Sequence, residues 1–184
     1  MTMHAESRAN FSRIISENQF LPGLIQIIQQ SSAYRLKAIV ALEFYARDHW
    51  EEVKNYSEEI IEISTKITSE TEKRCISKLM EKISEFQYKD PDFKLPQQSL
   101  EQMASVCFDW LLTDSKIATK AFSMQSLFYL GYKIDWIHPE LKAYLERNLA
   151  YQSAGFKSRG TKILKKSLFS ERKKSLGKNM CIFI

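Results

Sequence analysis

The chain has 184 residues, a net charge of +5, 44% hydrophobic residues and 27% charged residues, the balance of a folded globular protein rather than a disordered one. A chain of this length buries a full core without disulfides or metal ions. Its five glycines and four prolines are too few for the turns of a β-sandwich or barrel and for most glycine-rich catalytic loops, so the composition favours an all-α fold.

Hydrophobic residues recur at helical spacing along almost the whole chain. Residues 11–18 and 21–28 predict two short helices, and residues 36–46 are apolar on nearly all sides, which is typical of a helix enclosed by neighbours. Residues 60–67 predict the next helix. The first half of the chain is therefore predicted to be a series of helices with short connections.

Capping patterns predict where the later helices begin. Ser69 and Glu72 have the spacing of a capping box, and residues 88–96, with two prolines, predict the longest loop. Further helix starts are predicted at Ser99 with Gln102, at Asp114 or Ser115, and at His138 with Pro139. Residues 152–160 predict a short loop before a final helix, which brings the total to about eight or nine helices.

A degenerate repeat relates four segments of the chain. Each has a basic residue near a predicted helix start, followed by a small residue, and the segments lie about forty residues apart. The basic residues are Lys37, Arg74, Lys120 and Arg159. A period near forty with two helices per unit resembles the HEAT and armadillo families of α-solenoids.

This resemblance implies a right-handed α-α superhelix of about four helix pairs. It also implies that Lys37, Arg74, Lys120 and Arg159 are structural residues that fix the turn preceding each second helix. Asp114 is the matching turn acid for Lys120.

A second resemblance is more specific. Residues 108–111, 122–124 and 153–160 are similar to those of a small group of bacterial HEAT-like proteins of undefined activity. Some of those proteins carry an adenylosuccinate lyase label. This chain lacks that enzyme's Ser-Ser-x-Met-Pro-x-Lys-x-Asn-Pro loop and is too short for its helical bundle, so the label is not carried over.

Charge divides the chain into two parts. Residues 157–184 contain nine Lys or Arg and one acid, whereas residues 1–156 contain 18 basic and 21 acidic residues. We expect residues 1–169 to form a single HEAT-like domain and residues 170–184 to form a basic, poorly ordered tail.

The segment 155–160 is the strongest candidate for an anion site. It combines two glycines, two cations and a hydroxyl ahead of a predicted helix, and a helix N-terminus with nearby cations suits an anion. The candidate anion- or phosphate-binding residues are Lys157, Ser158, Arg159, Gly160, Lys162, Lys165 and Lys166. The favoured alternative is a tight repeat turn, in which Arg159 binds carbonyls of the preceding turn.

No catalytic residue, metal ligand or cofactor is predicted. The chain has no nucleophile elbow, phosphate loop or H-E-x-x-H motif, and its three histidines have no partner at a recognisable spacing. Its three cysteines, Cys75, Cys107 and Cys181, are widely spaced and predict reduced thiols in the cytoplasm. No apolar run approaches the ~20 residues that span a bilayer.

These observations predict a non-catalytic HEAT-like scaffold that binds an unidentified protein or peptide partner. The alternative is a nucleic-acid-binding or alkylation-repair-type HEAT-like module that uses the basic C-terminal segment. The excess of acids in residues 1–156 argues against a groove that follows a phosphate backbone, because neutralising phosphates dominates such affinity.

Overall fold

The computed structural model describes residues 5–30 and 33–179, with side chains described for 10–30 and 33–166. Those residues are almost entirely helical and contain no strand, which confirms the expected all-α class. The helices are α1 (Ala5–Glu17), α2 (Leu21–Gln30), α3 (Arg35–Asp48), α4 (Trp50–Val53), α5 (Ser57–Ser64), α6 (Glu70–Lys89), α7 (Gln97–Leu112), α8 (Ile117–Leu130), α9 (Ile137–Asn148) and α10 (Ala154–Asn179).

The helices pack in two adjoining rows. In one row α3 contacts α6, α6 contacts α8, and α8 contacts α10. In the other row α2 contacts α5 and α5 contacts α7. Tyr144 of α9 donates a hydrogen bond to the Leu111 carbonyl of α7 over 3.0 Å and so extends the second row. Chain neighbours α2 and α3, α5 and α6, α7 and α8, and α9 and α10 join the two rows.

Helix α8 lies at the centre of this arrangement, against α6, α7, α9 and α10. Apolar residues such as Met124 and Leu127 are fully buried, and so is Ser126. The Ser126 hydroxyl donates to the Phe122 carbonyl within its own helix over 3.1 Å. A serine hydroxyl that bonds within its own helix needs no partner from another helix, so Ser126 can be buried in α8.

The end of α8 is closed by a residue from the next helix. The sequence predicts that His138 caps the start of α9, but α9 begins at Ile137, and the His138 Nε2 donates to the Phe128 carbonyl over 2.8 Å. That carbonyl belongs to the last turn of α8, where the backbone N–H of Tyr132 bonds to Tyr129 instead. His138 therefore caps the C-terminus of α8.

The predicted caps of α6 and α7 are replaced by contacts between helices. Ser69 precedes α6, but its side chain makes no capping bond, and Glu72 pairs with Arg35 of α3 over 3.1 Å. Helix α7 begins at Gln97 rather than Ser99, whose hydroxyl donates to Glu58 of α5 over 3.0 Å. Tertiary contacts therefore outcompete the local capping box.

Helix α8 begins at Ile117, later than the predicted starts at Asp114 or Ser115. The N–H of Lys116 donates to Glu70 of α6 over 2.8 Å. Burial alone would raise the pKa of Glu70, but this N–H and the ammonium of Lys73 outweigh it and hold that pKa below its usual value.

The final helix is longer than the sequence predicts. Its backbone is helical from Ala154 to Asn179, so it includes both the predicted loop 152–160 from Ala154 onward and much of the predicted tail. Residues 180–184, which contain Cys181, lie outside the described residues, as do the side chains after Lys166.

Because His138 caps α8, we expect alanine substitutions at two glycines to differ sharply in their effect on the free energy of unfolding. A Cβ at Gly131 would overlap the His138 ring at Cδ2, so Gly131→Ala must displace the imidazole that caps the helix. We expect it to lower the free energy of unfolding by about 2 kcal/mol, as overpacking does. Urea denaturation followed by circular dichroism measures this.

Gly23 is the matched control, because a Cβ there meets nothing within 4 Å and the residue lies in α2. Gly23→Ala should leave stability unchanged or raise it by about 0.5–1 kcal/mol through helix propensity. Equal effects of the two substitutions would show that the His138 cap does not stabilise the fold.

Candidate functional site

Seven polar side chains form a band across the row α3, α6, α8 and α10, which we call the polar stripe. They are Glu43 and Arg47 of α3, Lys78, Glu81 and Lys82 of α6, Gln125 of α8 and Arg159 of α10. All except Arg47 are buried or half-buried, so the band is a packed and largely fixed surface.

The α3 part of the stripe is organised by one buried carboxylate. Glu43 accepts hydrogen bonds from Nη2 of Arg47, one helical turn later, at 2.8 Å. It also accepts from the Nζ of Lys78 on α6 at 3.0 Å. A buried carboxylate needs such charged donors, and this one fixes two cations from neighbouring helices in place.

Lys82 extends this cluster one turn along α6. Its Nζ donates to the Ala46 carbonyl of α3 over 2.7 Å and lies 4.8 Å from the ring centre of Trp50. Burial lowers the pKa of Lys82, although the carboxylates of Asp48, Glu85 and Glu51 act in the opposite direction.

A cleft of about 150 Å³ opens between α3 and α6 at this point. Its lining consists of three cations, one carboxylate and two apolar residues: Arg47, Lys78, Lys82, Glu43, Ala46 and Leu79. The cleft is therefore richer in positive than in negative charge at its wall.

The second half of the stripe crosses α8. Nη1 of Arg159, on α10, donates to Glu81 of α6 over 2.9 Å and to the Oε1 of Gln125 on α8 over 3.2 Å. Burial raises the pKa of Glu81, and the charge of Arg159 only partly offsets this. The ring of Phe122 lies between Lys78 and Arg159, with its centre about 6 Å from both cations.

The predicted anion site at 155–160 has a different structure from the one expected. These residues form the first turns of α10, and the N–H of Lys157 already bonds to the Ser153 carbonyl over 2.9 Å. Gly160 is buried, and a Cβ there would lie 2.6 Å from the Leu149 Cδ1, so this glycine permits close helix packing rather than a tight turn.

The other candidate anion-binding residues lie on different sides of α10. Arg159 belongs to the polar stripe, whereas the others project into solvent: Lys157, Ser158, Lys162, Lys165 and Lys166. The structure therefore places four lysines on the exposed side of α10 and does not gather them around a loop.

The four basic residues that the repeat predicts to fix turns do not share one structural role. Lys37 and Arg74 are exposed, and within the described residues neither they nor Lys120 forms an ion pair. Asp114 is also exposed and does not pair with Lys120 in that part of the chain. Arg159 alone of the four bridges helices, and its partner is Glu81 rather than the preceding turn.

Sequence reasoning missed six of the seven residues of the polar stripe: Glu43, Arg47, Lys78, Glu81, Lys82 and Gln125. An acid within the largely apolar segment 36–46 was the available signal for Glu43, because a charge is buried only where it is paired. The α6 residues carry no such signal, since half-buried cations on a long helix resemble solvent-facing ones.

Within residues 5–30 and 33–179, no group of three His, Cys, Asp or Glu side chains could hold a metal ion. In the same residues, no helix has both the length and the apolar character needed to cross a membrane. Comparison with family models, curated proteins and solved structures gives no match to this chain.

The ion pair across α8 should give a pH-dependent stability. In Arg159→Met, the carboxylate of Glu81 stays in a largely buried position without its cation, and we expect a loss of about 2 kcal/mol near pH 7. Because the folded-state pKa of Glu81 is already raised, this carboxyl's contribution to stability falls as pH rises through that pKa. Because the pKa of Glu81 is raised above its ordinary value, the loss in Arg159→Met should be smaller at about pH 4 than near pH 7.

Thermal or urea unfolding at the two pH values measures this difference. Lys66→Met is the control, because Lys66 pairs with Glu62 at 2.7 Å on an exposed helix end. That change should cost less than about 0.5 kcal/mol at either pH. A loss for Arg159→Met that is independent of pH would show that Glu81 is not the group that Arg159 stabilises.

Proposed function

We propose that the chain is a non-catalytic HEAT-like scaffold whose polar stripe binds a protein or peptide partner. In this proposal, the helix pairs form a right-handed superhelix of about four repeats, as the resemblance implies. The observation that carries it is the polar stripe itself, in which side-chain hydrogen bonds join α3 to α6 and join α10 to both α6 and α8.

The sequence separations of the contacts support a repeat. Side-chain hydrogen bonds between distant helices join residues 37, 35 and 36 apart between α3 and α6. Side-chain hydrogen bonds between the other helices join residues that lie 41, 46, 44, 33 and 34 positions apart in the sequence. The bond from Arg159 to Glu81 spans 78 residues, about two periods. Contacts that recur near one period are what a stack of similar units produces.

The rigidity of the stripe supports binding rather than chemistry. Its cations are held by Glu43, Glu81 and the Ala46 carbonyl, so they lose little freedom when a partner docks. A surface with fixed charges of both signs favours a partner with a complementary polar pattern. Buried free thiols at Cys75 and Cys107 support the cytoplasmic location that belongs to this proposal.

A nucleic-acid role is the second candidate, and one observation favours it. Lys157, Lys162, Lys165 and Lys166 are exposed on α10, and none forms an ion pair within the described residues. Exposed cations of this kind neutralise phosphates. The excess of acids in residues 1–156 opposes an extended phosphate-binding groove, which leaves protein binding as the stronger candidate.

Affinity capture from nuclease-treated cell extract tests the two candidates. The bait is the full chain, the stripe variant Lys82→Gln/Arg159→Gln, or the α10 variant Lys162→Gln/Lys165→Gln. The two variants remove the same charge from different surfaces. We expect a protein retained by the full chain and by the α10 variant, and at least about tenfold less by the stripe variant, since charge-assisted bonds contribute this much.

The same three proteins are then tested for binding to labelled duplex and single-stranded DNA across a salt series. We expect only weak binding that falls steeply with salt and is reduced in the α10 variant, as for non-specific charge. Micromolar or tighter DNA binding near physiological salt, together with no captured protein, would replace the scaffold by the nucleic-acid role.

A further inference from the structure

We infer that the cleft between α3 and α6 receives the carboxylate of an acidic side chain from a protein partner. This inference rests on the proposed function and specifies the chemistry of the partner. It concerns the part of the polar stripe lined by Arg47, Lys78 and Lys82 around the cleft of about 150 Å³.

The cations that line the cleft carry more N–H donors than the acceptors around them bind. Arg47 bonds Glu43 through Nε and Nη2, and no described residue accepts from its Nη1. Each lysine carries three N–H donors. Within the described part of the chain, Lys78 makes one such bond, to Glu43, and Lys82 makes one, to the Ala46 carbonyl. An acceptor that enters the cleft therefore meets donors from three cations.

These donors are held in place before a ligand arrives. Glu43 is 6% exposed, and its two oxygens accept hydrogen bonds from Arg47 and Lys78. Glu43 therefore fixes these two cations and leaves Lys82 without a carboxylate partner in the lining of the cleft. The Arg47 guanidinium also lies 4.1 Å from the ring centre of Phe44. Lys82 is held between the Ala46 carbonyl and the Trp50 ring. A preorganised set of donors binds an anion with a small loss of side-chain entropy.

The size of the cleft and the charges near it favour one carboxylate. Its volume of about 150 Å³ is that of about five water molecules, which suits the five heavy atoms of a glutamate side chain. Asp48, Glu51 and Glu85 act on Lys82 from outside the lining. They repel an extended polyanion such as a nucleic-acid backbone, whereas a single carboxylate reaches the cations from the partner's side chain.

Fluorescence anisotropy with a labelled glycine-serine octapeptide that carries one central glutamate tests the inference on the full chain. We expect binding that Arg47→Gln and Lys82→Gln each weaken about tenfold, because each removes a charged donor from the cleft. Lys82→Gln removes the charge and keeps a polar side chain with N–H donors. The matched control is Lys165→Gln, which removes the same charge from the exposed side of α10 and should weaken binding less than about twofold.

Circular dichroism and melting temperature confirm that each variant is folded, and Lys82→Gln serves if Arg47→Gln does not fold. Equal weakening by Lys165→Gln would assign the binding to the basic α10 and overturn the inference. The inference would be overturned in favour of phosphate recognition by either of two results. In the first, substitutions of Arg47 and Lys82 weaken binding of a single-stranded DNA octamer more than they weaken binding of the peptide. In the second, an equal concentration of inorganic phosphate displaces the peptide.

The proposed function fails separately from this inference. If the captured protein is still lost from the Lys82→Gln/Arg159→Gln bait while the single-glutamate peptide does not bind, the scaffold stands and the acidic anchor is wrong. If that peptide binds through the cleft but no protein is captured by any bait, the anion site stands and the scaffold loses its support.

Discussion

The packing of α8 between α6 and α10 is the constraint on which the rest of the molecule depends. Polar groups of a helix enclosed on several sides depend on partners inside the protein, because water does not reach them. Here Ser126 bonds within its own helix, His138 donates to the Phe128 carbonyl, and Arg159 crosses over the helix to bind Gln125 and Glu81. The part of the polar stripe formed by Glu81, Gln125 and Arg159 is thus a consequence of burying α8.

The same constraint links stability to the candidate site. The Oε1 of Gln125 accepts from Arg159, while its buried Nε2 has no partner among the described residues. An unpaired buried amide costs about 1–3 kcal/mol, which tight packing against α6 and α10 has to offset. The α3–α6 cleft lies beside this junction, because α6 contributes to both.

Helices were predictable from the sequence because their hydrophobic spacing is a local property. The segment 36–46 illustrates this, since its apolar character on nearly all sides matches α3, most of whose residues from Ala38 to Ala46 are buried. Helix ends were less predictable, because Ser99, Glu72 and Lys116 bond across helices rather than within a cap. A capping pattern is local, whereas the contact that replaces it depends on which helix the fold brings near.

The candidate site shows the same division. Arg159 was identified from its place in the repeat, but its partner lies 78 residues away and could not be read from spacing alone. The glycines at 155 and 160 predicted a turn because glycine is common in turns. In the structure Gly160 instead admits Leu149 to close packing, a role that depends on a neighbouring side chain and leaves no local pattern.

The cap on α8 has a consequence for how the molecule opens. Because the imidazole of His138 belongs to α9 and its acceptor belongs to α8, fraying of α9 exposes the last turn of α8 at the same moment. Tyr132 contacts the same imidazole edge-on, with 4.8 Å between the ring centres, so the connecting segment is tied into this junction as well. The His138 contacts therefore couple the opening of α9 to that of the last turn of α8.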